Sequence, residues 1–284
     1  MTVQRQLVPA LALFALLSSG CERVFFGAVN HDVPTANATV VYAPDRGLAL
    51  DVFRPHGNSC PAPTLVFFYG GAWKRGNREQ YRFVGHRLAE HGVLAIVADY
   101  RTWPRAGFPA FMDDAADAVA WARVHAGEYG GDPQRLFVAG HSAGAQIAGL
   151  LGTDAHYLAE RGMRPAQLAG VIGLSGPYDF KVGETYAPIF GLPSQWPKAQ
   201  VVNFVDGDEP PFLLIHGDAD RTVEVHDSIE LAGKLRDARV PVTLLLLPGA
   251  GHMAPMTGLY APRRALMVLP AMLDFIRSPA TSPR

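Results

Sequence analysis

The stretch RLFVAGHSAGAQIAGLLG, Arg135 to Gly152, decides how this chain is read. An apolar run, RLFVA, stops at the polar cluster Gly140-His141-Ser142-Ala143-Gly144, and a run of small, helix-compatible residues follows. A plain loop is one reading, because Gly and Ser mark turns. A helix cap, with Ser142 bonding backbone N–H groups, is another. The third is a nucleophile held on a tight strand-to-helix bend. Such a bend strains the serine backbone and crowds its neighbours, so residues without side chains are needed two places to either side. Gly140 and Gly144 stand at those places, between a strand-like and a helix-like segment. The following helix also directs N–H groups and the positive end of its dipole toward the serine oxygen.

A serine hydroxyl is a poor nucleophile until a base takes its proton. In sheets of this type the acid and base follow the serine in the order Ser, Asp or Glu, His, each on a loop at the carboxyl end of a strand. After the apolar run PFLLIH comes GDADRTV, which offers Asp218 and Asp220; after VTLLLLP comes GAGHMAP, which offers His252. Parallel strands bring all three loops to one edge of the sheet. Asp220 is the favoured acid by its position in the loop, with Asp218 as the alternative. A fourth element is FFYGGAW, Phe67 to Trp73, where glycines after a buried strand let the backbone aim N–H groups at a ligand. Gly71 and Ala72 here, with Ala143 after the serine, are the expected oxyanion hole. His141 and His216 stand beside this chemistry and are expected to pack or to hydrogen-bond. No zinc-type spacing of Cys and His occurs, and no metal or organic cofactor is implied.

The rest of the chain agrees with a parallel sheet. Its 284 residues are 49% hydrophobic and 18% charged, enough to bury a substantial core, and a formal net charge of -1 disfavours nucleic acid as a partner. ATVVYA and LALDVFRP read as paired strands around the turn PDRG, and TLVFFYGG and VLAIVADY as strands covered on both faces. LAGVIGLSG, PFLLIHG and VTLLLLPG read as three further buried strands. From Phe111, the residues Met112, Ala115, Ala116, Val119 and Ala122 recur at helical spacing, with Asp113, Asp114 and Asp117 on the other side. Further helices are expected near Val225–Ala238 and Arg263–Ile276. One segment, about 177–210, breaks the alternation with Pro, Gly and aromatics and is expected to be a short cap over a pocket. Trp73, Tyr178, Phe190 and Trp196 are its candidate substrate-binding residues.

The N-terminus, MTVQRQLVPALALFALLSSGC, has a short basic start, an apolar run and small residues, and residues 1–20 read as an export signal. LSSGC resembles a bacterial lipobox, which makes Cys21 the lipidation site, with ordinary signal-peptidase cleavage as the rival. Glu22 after that cysteine suggests the outer membrane, facing the periplasm. Membrane association is then through the lipid alone. Without acylation, a Cys21–Cys60 bridge is open to the chain. Residues 21–37 are expected to be a linker, and 38–278 the folded domain.

YGGAW, VADYR, the run from Asp113 through Ala148, PPFLLIHGDADRTV and GHMAP, in that order, resemble the α/β-hydrolase superfamily, in its His-Gly-Gly-Gly-Trp branch of carboxylesterases. Asp99 to Leu151 is similar to prenylcysteine methylesterases and to bacterial feruloyl-type esterases. The resemblance covers about Ala38 to Arg277. It implies a mostly parallel sheet with helices on both faces, Ser142 as nucleophile, Asp220 as acid, His252 as base, and Gly71, Ala72 and Ala143 as oxyanion donors. Tyr69 stands where the family usually has His, and Ala72 replaces its third Gly. The implied activity is hydrolysis of a small-molecule carboxylic ester through an acyl-enzyme. The alternatives are an amidase or formamidase with the same triad, and a non-catalytic, surface-anchored binding protein.

Overall fold

Apolar runs that alternate with helix-length segments assemble into one eight-stranded sheet in the computed structural model, which describes residues 24–57, 61–261 and 267–278. The strands are β1 (Ala38–Ala43), β2 (Leu48–Phe53), β3 (Ala62–Phe68), β4 (Leu94–Ala98), β5 (Gly131–His141), β6 (Gly170–Leu174), β7 (Phe212–Gly217) and β8 (Val242–Leu247). Their spatial order is β1-β2-β4-β3-β5-β6-β7-β8. β1 with β2 and β2 with β4 are antiparallel; every other pair is parallel. Helices flank both faces, and this is the α/β-hydrolase fold.

The layout follows from burial. Every position of β3, β4, β6 and β7 is buried, as the continuous apolar runs require, since each large aliphatic or aromatic side chain so covered contributes roughly 1.5–3 kcal/mol. β8 departs from its sequence. Its run of leucines reads as a buried strand, yet only Leu247 is fully covered. The reason is its place: β8 pairs with β7 alone and forms the edge of the sheet.

Three further expectations are corrected. Asp114 is not on a solvent face; it is fully buried and accepts from Arg46 at 2.7 Å and Arg101 at 2.8 Å, which supply the opposite charge that burial of a carboxylate demands. Residues 24–30 are not linker. They form a helical turn whose Phe26 and Val29 join the core, and Asn30 accepts from Phe83 N at 3.0 Å. The last helix covers Val268–Arg277, and a separate helix, Ala254–Tyr260, precedes it where none was expected.

Between β6 and β7 the chain is irregular, with one short helix, Ala187–Phe190, and two 3-10 turns, Pro193–Ala199 and Val201–Asn203. This insertion leaves the sheet at the same edge where β3, β5, β7 and β8 end. All the strands that deliver the candidate residues are parallel, so that edge collects them.

Candidate active site

Ser142 follows β5 at once and precedes the helix Ala143–Thr153. Its φ of 54° and ψ of -122° lie where L-residues are strained, at a cost on the order of 1–3 kcal/mol. The surroundings hold it there. Its N–H donates to Leu174 O at 2.9 Å, and its carbonyl accepts from Ala145 N at 2.9 Å and Gln146 N at 3.2 Å. A Cβ at Gly140 would strike the carbonyl of Gly144, and one at Gly144 would strike the carbonyls of Phe68 and Tyr69. The two glycines therefore let helix, strand and neighbouring loop close on one another. Ser142 is buried, with 9% of its surface still exposed.

The loop after β3 lies against the serine: a Cβ at Gly70 would be 3.1 Å from Ser142 Cβ and 2.9 Å from His141 Nδ1. Ala72 and Trp73 both have positive φ, 53° and 56°, so the backbone of this loop is also strained. Gly70 N–H donates to the Tyr81 hydroxyl at 3.2 Å. The N–H groups of Gly71, Ala72 and Ala143 meet no hydrogen-bond acceptor among the described residues, which leaves them free for a ligand oxygen. Trp73 is buried, and its Nε1 donates to Gln146 Oε1 at 3.2 Å, while Gln146 Nε2 donates to Ala199 O in the insertion at 2.8 Å. Gln146 thus joins the helix after Ser142, the loop and the insertion. A lone polar residue in an otherwise apolar helix was the available sign of it. Tyr69 turns away from the loop's N–H groups; it stacks on Tyr100 with centroids 4.4 Å apart and donates to Tyr100 O at 3.0 Å.

At the other side of the rim, Asp220 meets His252. Asp220 Oδ2 accepts from His252 Nδ1 at 2.8 Å, and Oδ1 accepts from Thr222 N at 2.8 Å and Val223 N at 3.1 Å. The carboxylate is fully buried; burial alone would raise its pKa, but hydrogen bonds from His216 and His252 and the charge of His252 outweigh it and hold the group well below the usual range. Asp218 is elsewhere: its Oδ1 accepts from Gly249 N at 2.6 Å and fastens the two loops from outside. Of the two acids that the sequence offered, only Asp220 reaches the imidazole.

His141 connects the halves. Its Nε2 donates to His252 O at 3.3 Å, so its Nδ1 accepts from the Tyr81 hydroxyl at 3.0 Å, which in turn accepts from Gly70 N. Burial, reinforced by the neighbouring His252, pushes its pKa down to about 3, and the ring is neutral in this role. The centroids of His141 and His252 are 5.0 Å apart. Ser142 and His252 are not hydrogen-bonded to each other among the described residues; catalytic contacts of this kind often close only when substrate arrives.

The four candidate substrate-binding residues separate. Tyr178 and Phe190 are fully buried and Trp73 is 3% exposed, so they are packing side chains behind the site rather than its lining. Trp73 stacks on Phe180 at 5.1 Å and meets Phe190 edge-on at 4.9 Å. The insertion's apolar residues, read as a cap over a pocket, first have to cover one another. Trp196 lies on an open groove of about 390 Å³ with Phe180, Val182, Pro193 and Gln200, a groove that none of Ser142, Asp220 and His252 lines. Cys21 and Cys60, the lipidation and bridge candidates, lie outside the described residues.

A strained serine on a strand-to-helix bend, backbone N–H groups beside it and a carboxylate–imidazole pair on one edge of this sheet accompany an α/β-hydrolase fold of the esterase branch. More particularly, the chain belongs to the BD-FAE family, whose sequence profile matches residues 50–235. It is 34% identical over 248 residues to Esterase LipC of Mycobacterium tuberculosis, covering 80% of this chain and 62% of that protein. It is 29% identical over 236 residues to the probable isoprenylcysteine alpha-carbonyl methylesterase ICME of Oryza sativa, covering 75% and 57%. The chain therefore spans only 62% and 57% of the lengths of these curated relatives. Among solved structures, native esterase 2 of Thermogutta terrifontis superposes with a TM-score of 0.72 at 24% identity, over 89% of this chain and 96% of that one. A truncated carbohydrate esterase from gut microbiota gives 0.70 at 23% identity, over 86% and 96%. These two likenesses show the fold.

Proposed function

We propose that this chain is a serine carboxylesterase acting on a small-molecule ester through an acyl-enzyme. The observation that carries the reading is the buried 2.8 Å contact between Asp220 and His252 on the rim that holds the strained Ser142. Ser142 Oγ attacks the ester carbonyl as His252 Nε2 takes its proton, and Asp220 orients the ring and stabilises its charged form. The oxyanion is received by the N–H groups of Gly71, Ala72 and Ala143, each worth about 3 kcal/mol if such donors behave as elsewhere. His252 then protonates the leaving alcohol, and water repeats the sequence on the acyl-enzyme.

The test is turnover of a p-nitrophenyl acyl ester series, with labelling by a fluorophosphonate probe located at Ser142 by mass spectrometry. Activity falls on acidification, because a protonated imidazole cannot take the serine proton; a rate that does not fall at acid pH would remove His252 from its role. A matched anilide and formamide in the same assay separate ester from amide hydrolysis, and preferential amide turnover would replace the reading with an amidase. Absence of both turnover and labelling would support a binding protein. Localisation is a second part of the proposal: the lipobox-like LSSGC supports export and anchoring through Cys21, toward the periplasmic side of the outer membrane. A Cys21→Ser change then releases the protein from membranes, and retention refutes the anchor.

A further inference from the structure

His216 ends β7 and takes no part in the scheme above, yet its ring is fully buried among polar partners. Nε2 lies 3.2 Å from Asp220 Oδ2 and 3.2 Å from Val223 O, and Nδ1 lies 2.7 Å from Ser228 Oγ. The atoms facing Nε2 are a carboxylate and a carbonyl, and both can only accept. Nε2 therefore carries the proton. With the proton there, Nδ1 is an acceptor, and the Ser228 hydroxyl, from the helix Val225–Asp237, is its donor. A directed chain results: Ser228 O–H to His216 Nδ1, His216 Nε2–H to Val223 O with Asp220 Oδ2 beside it at 3.2 Å, and His252 Nδ1–H to that same Oδ2.

We infer that His216 is a positioning residue for the acid–base pair, its Nε2–H shared between Val223 O and Asp220 Oδ2 in a tautomer dictated by Ser228. Two consequences follow from the geometry. Thr222 and Val223 N–H groups hold Oδ1, and His216 with His252 holds Oδ2, so the carboxylate is fixed at both oxygens. The second donor also draws charge from Oδ2 and so limits how strongly the carboxylate favours protonated His252. The titratable groups facing His216 are Asp220 from its own loop, His252 after β8, His141 after β5 and Asp227 from the helix.

The kinetic arm of the test rests on the esterase reading, and the spectroscopic arm does not. In protein labelled with 15N-histidine, NMR is expected to show His216 with Nε2 protonated and Nδ1 bare, the resonances being assigned with His216→Gln and His252→Gln. A bare Nε2 would overturn the inference whether or not the protein hydrolyses esters. In the kinetic arm, pH–rate profiles are compared for wild type, His216→Leu and His216→Gln. Loss of both polar atoms in His216→Leu lowers kcat/KM about ten-fold and moves the acid limb to higher pH by roughly half a unit. Gln carries a carbonyl and an N–H at nearly the spacing of the two ring nitrogens and returns the limb to its wild-type place. A Leu variant with an unshifted limb overturns the inference, even if its rate or Tm has fallen, because that is the pattern of a packing residue. If the wild type neither turns over esters nor takes the fluorophosphonate, the esterase reading fails, while the tautomer still decides the hydrogen-bond assignment.

Discussion

The two ends of the site are built by different physics. At the Ser142 end, Ser142, Ala72 and Trp73 all sit at positive φ, and what holds them is hard contact between backbones: Gly140, Gly144 and Gly70 leave no room for a Cβ. At the Asp220–His252 end, polar contacts do the holding: Asp220 accepts from two backbone N–H groups and from His252, with His216 Nε2 3.2 Å away, and Asp218 fastens the loop of His252. A backbone-built half is rigid, indifferent to pH and intolerant of added atoms. A half built from side chains tolerates isosteric change without unfolding but answers to protonation. His141 belongs to both, since it links Gly70 through Tyr81 to the carbonyl of His252.

The largest effects test whether the two ends act as one unit. Ser142→Ala should lower kcat by roughly 10⁵–10⁶ while leaving the circular dichroism spectrum unchanged; residual turnover within a hundred-fold of wild type would place the nucleophile elsewhere. Asp220→Asn should cost about 10⁴ in kcat with the fold intact, the mark of an end built from side chains, and unfolding instead would erase the contrast drawn here. Gly144→Ala should do the opposite. Its methyl group meets the carbonyls of Phe68 and Tyr69, so chemical denaturation should register a loss of about 3 kcal/mol or more, with activity falling because the elbow opens. Gln146→Leu strands Trp73 Nε1 and Ala199 O and should cost about 2 kcal/mol. Because Trp73 adjoins Ala72, kcat should fall with it in steady-state assays.

The smallest effect sharpens the pH side of the comparison. Burial pushes Asp227 up to about 6, although backbone N–H groups of Asp179 and Tyr178 oppose the shift. In the unfolded chain such a carboxyl loses its proton near pH 4. The folded state therefore binds this proton more tightly, so its stabilising contribution is complete below about pH 4 and is lost as pH rises through about 6. Asp227→Asn keeps an oxygen to accept from Tyr178 N and should be more stable than wild type at pH 8 by up to about 3 kcal/mol, with no gain at pH 4. Thermal melts at the two pH values check it; an equal shift at both would assign the effect to packing.

Much of the elbow was legible because backbone sterics are local: a residue with no room for a Cβ appears in the sequence as Gly, so Gly140 and Gly144 announce the bend around Ser142. The strand ends that carry Asp220 and His252 were legible for a similar reason, as abrupt changes from apolar runs to polar loops. Contacts between distant segments leave no comparable trace. Nothing in VTLLLLP says that β8 lies at an edge, and nothing in TYAPIFGLPSQW separates Phe190, which is buried under Trp73, from Trp196, which faces a groove.

By itself the sequence determined the eight strand-forming runs and their order along the chain, the bend at Ser142 and the pair of loops able to supply an acid and a base, because each depends on neighbours along the chain. Only the tertiary structure brought Asp220 rather than Asp218 against His252, assigned Asp114 to a buried ion pair, and set His216 beside the carboxylate. Those outcomes depend on which polar atoms end within about 3 Å of one another after the sheet closes, and that is a property of the packed molecule rather than of any segment.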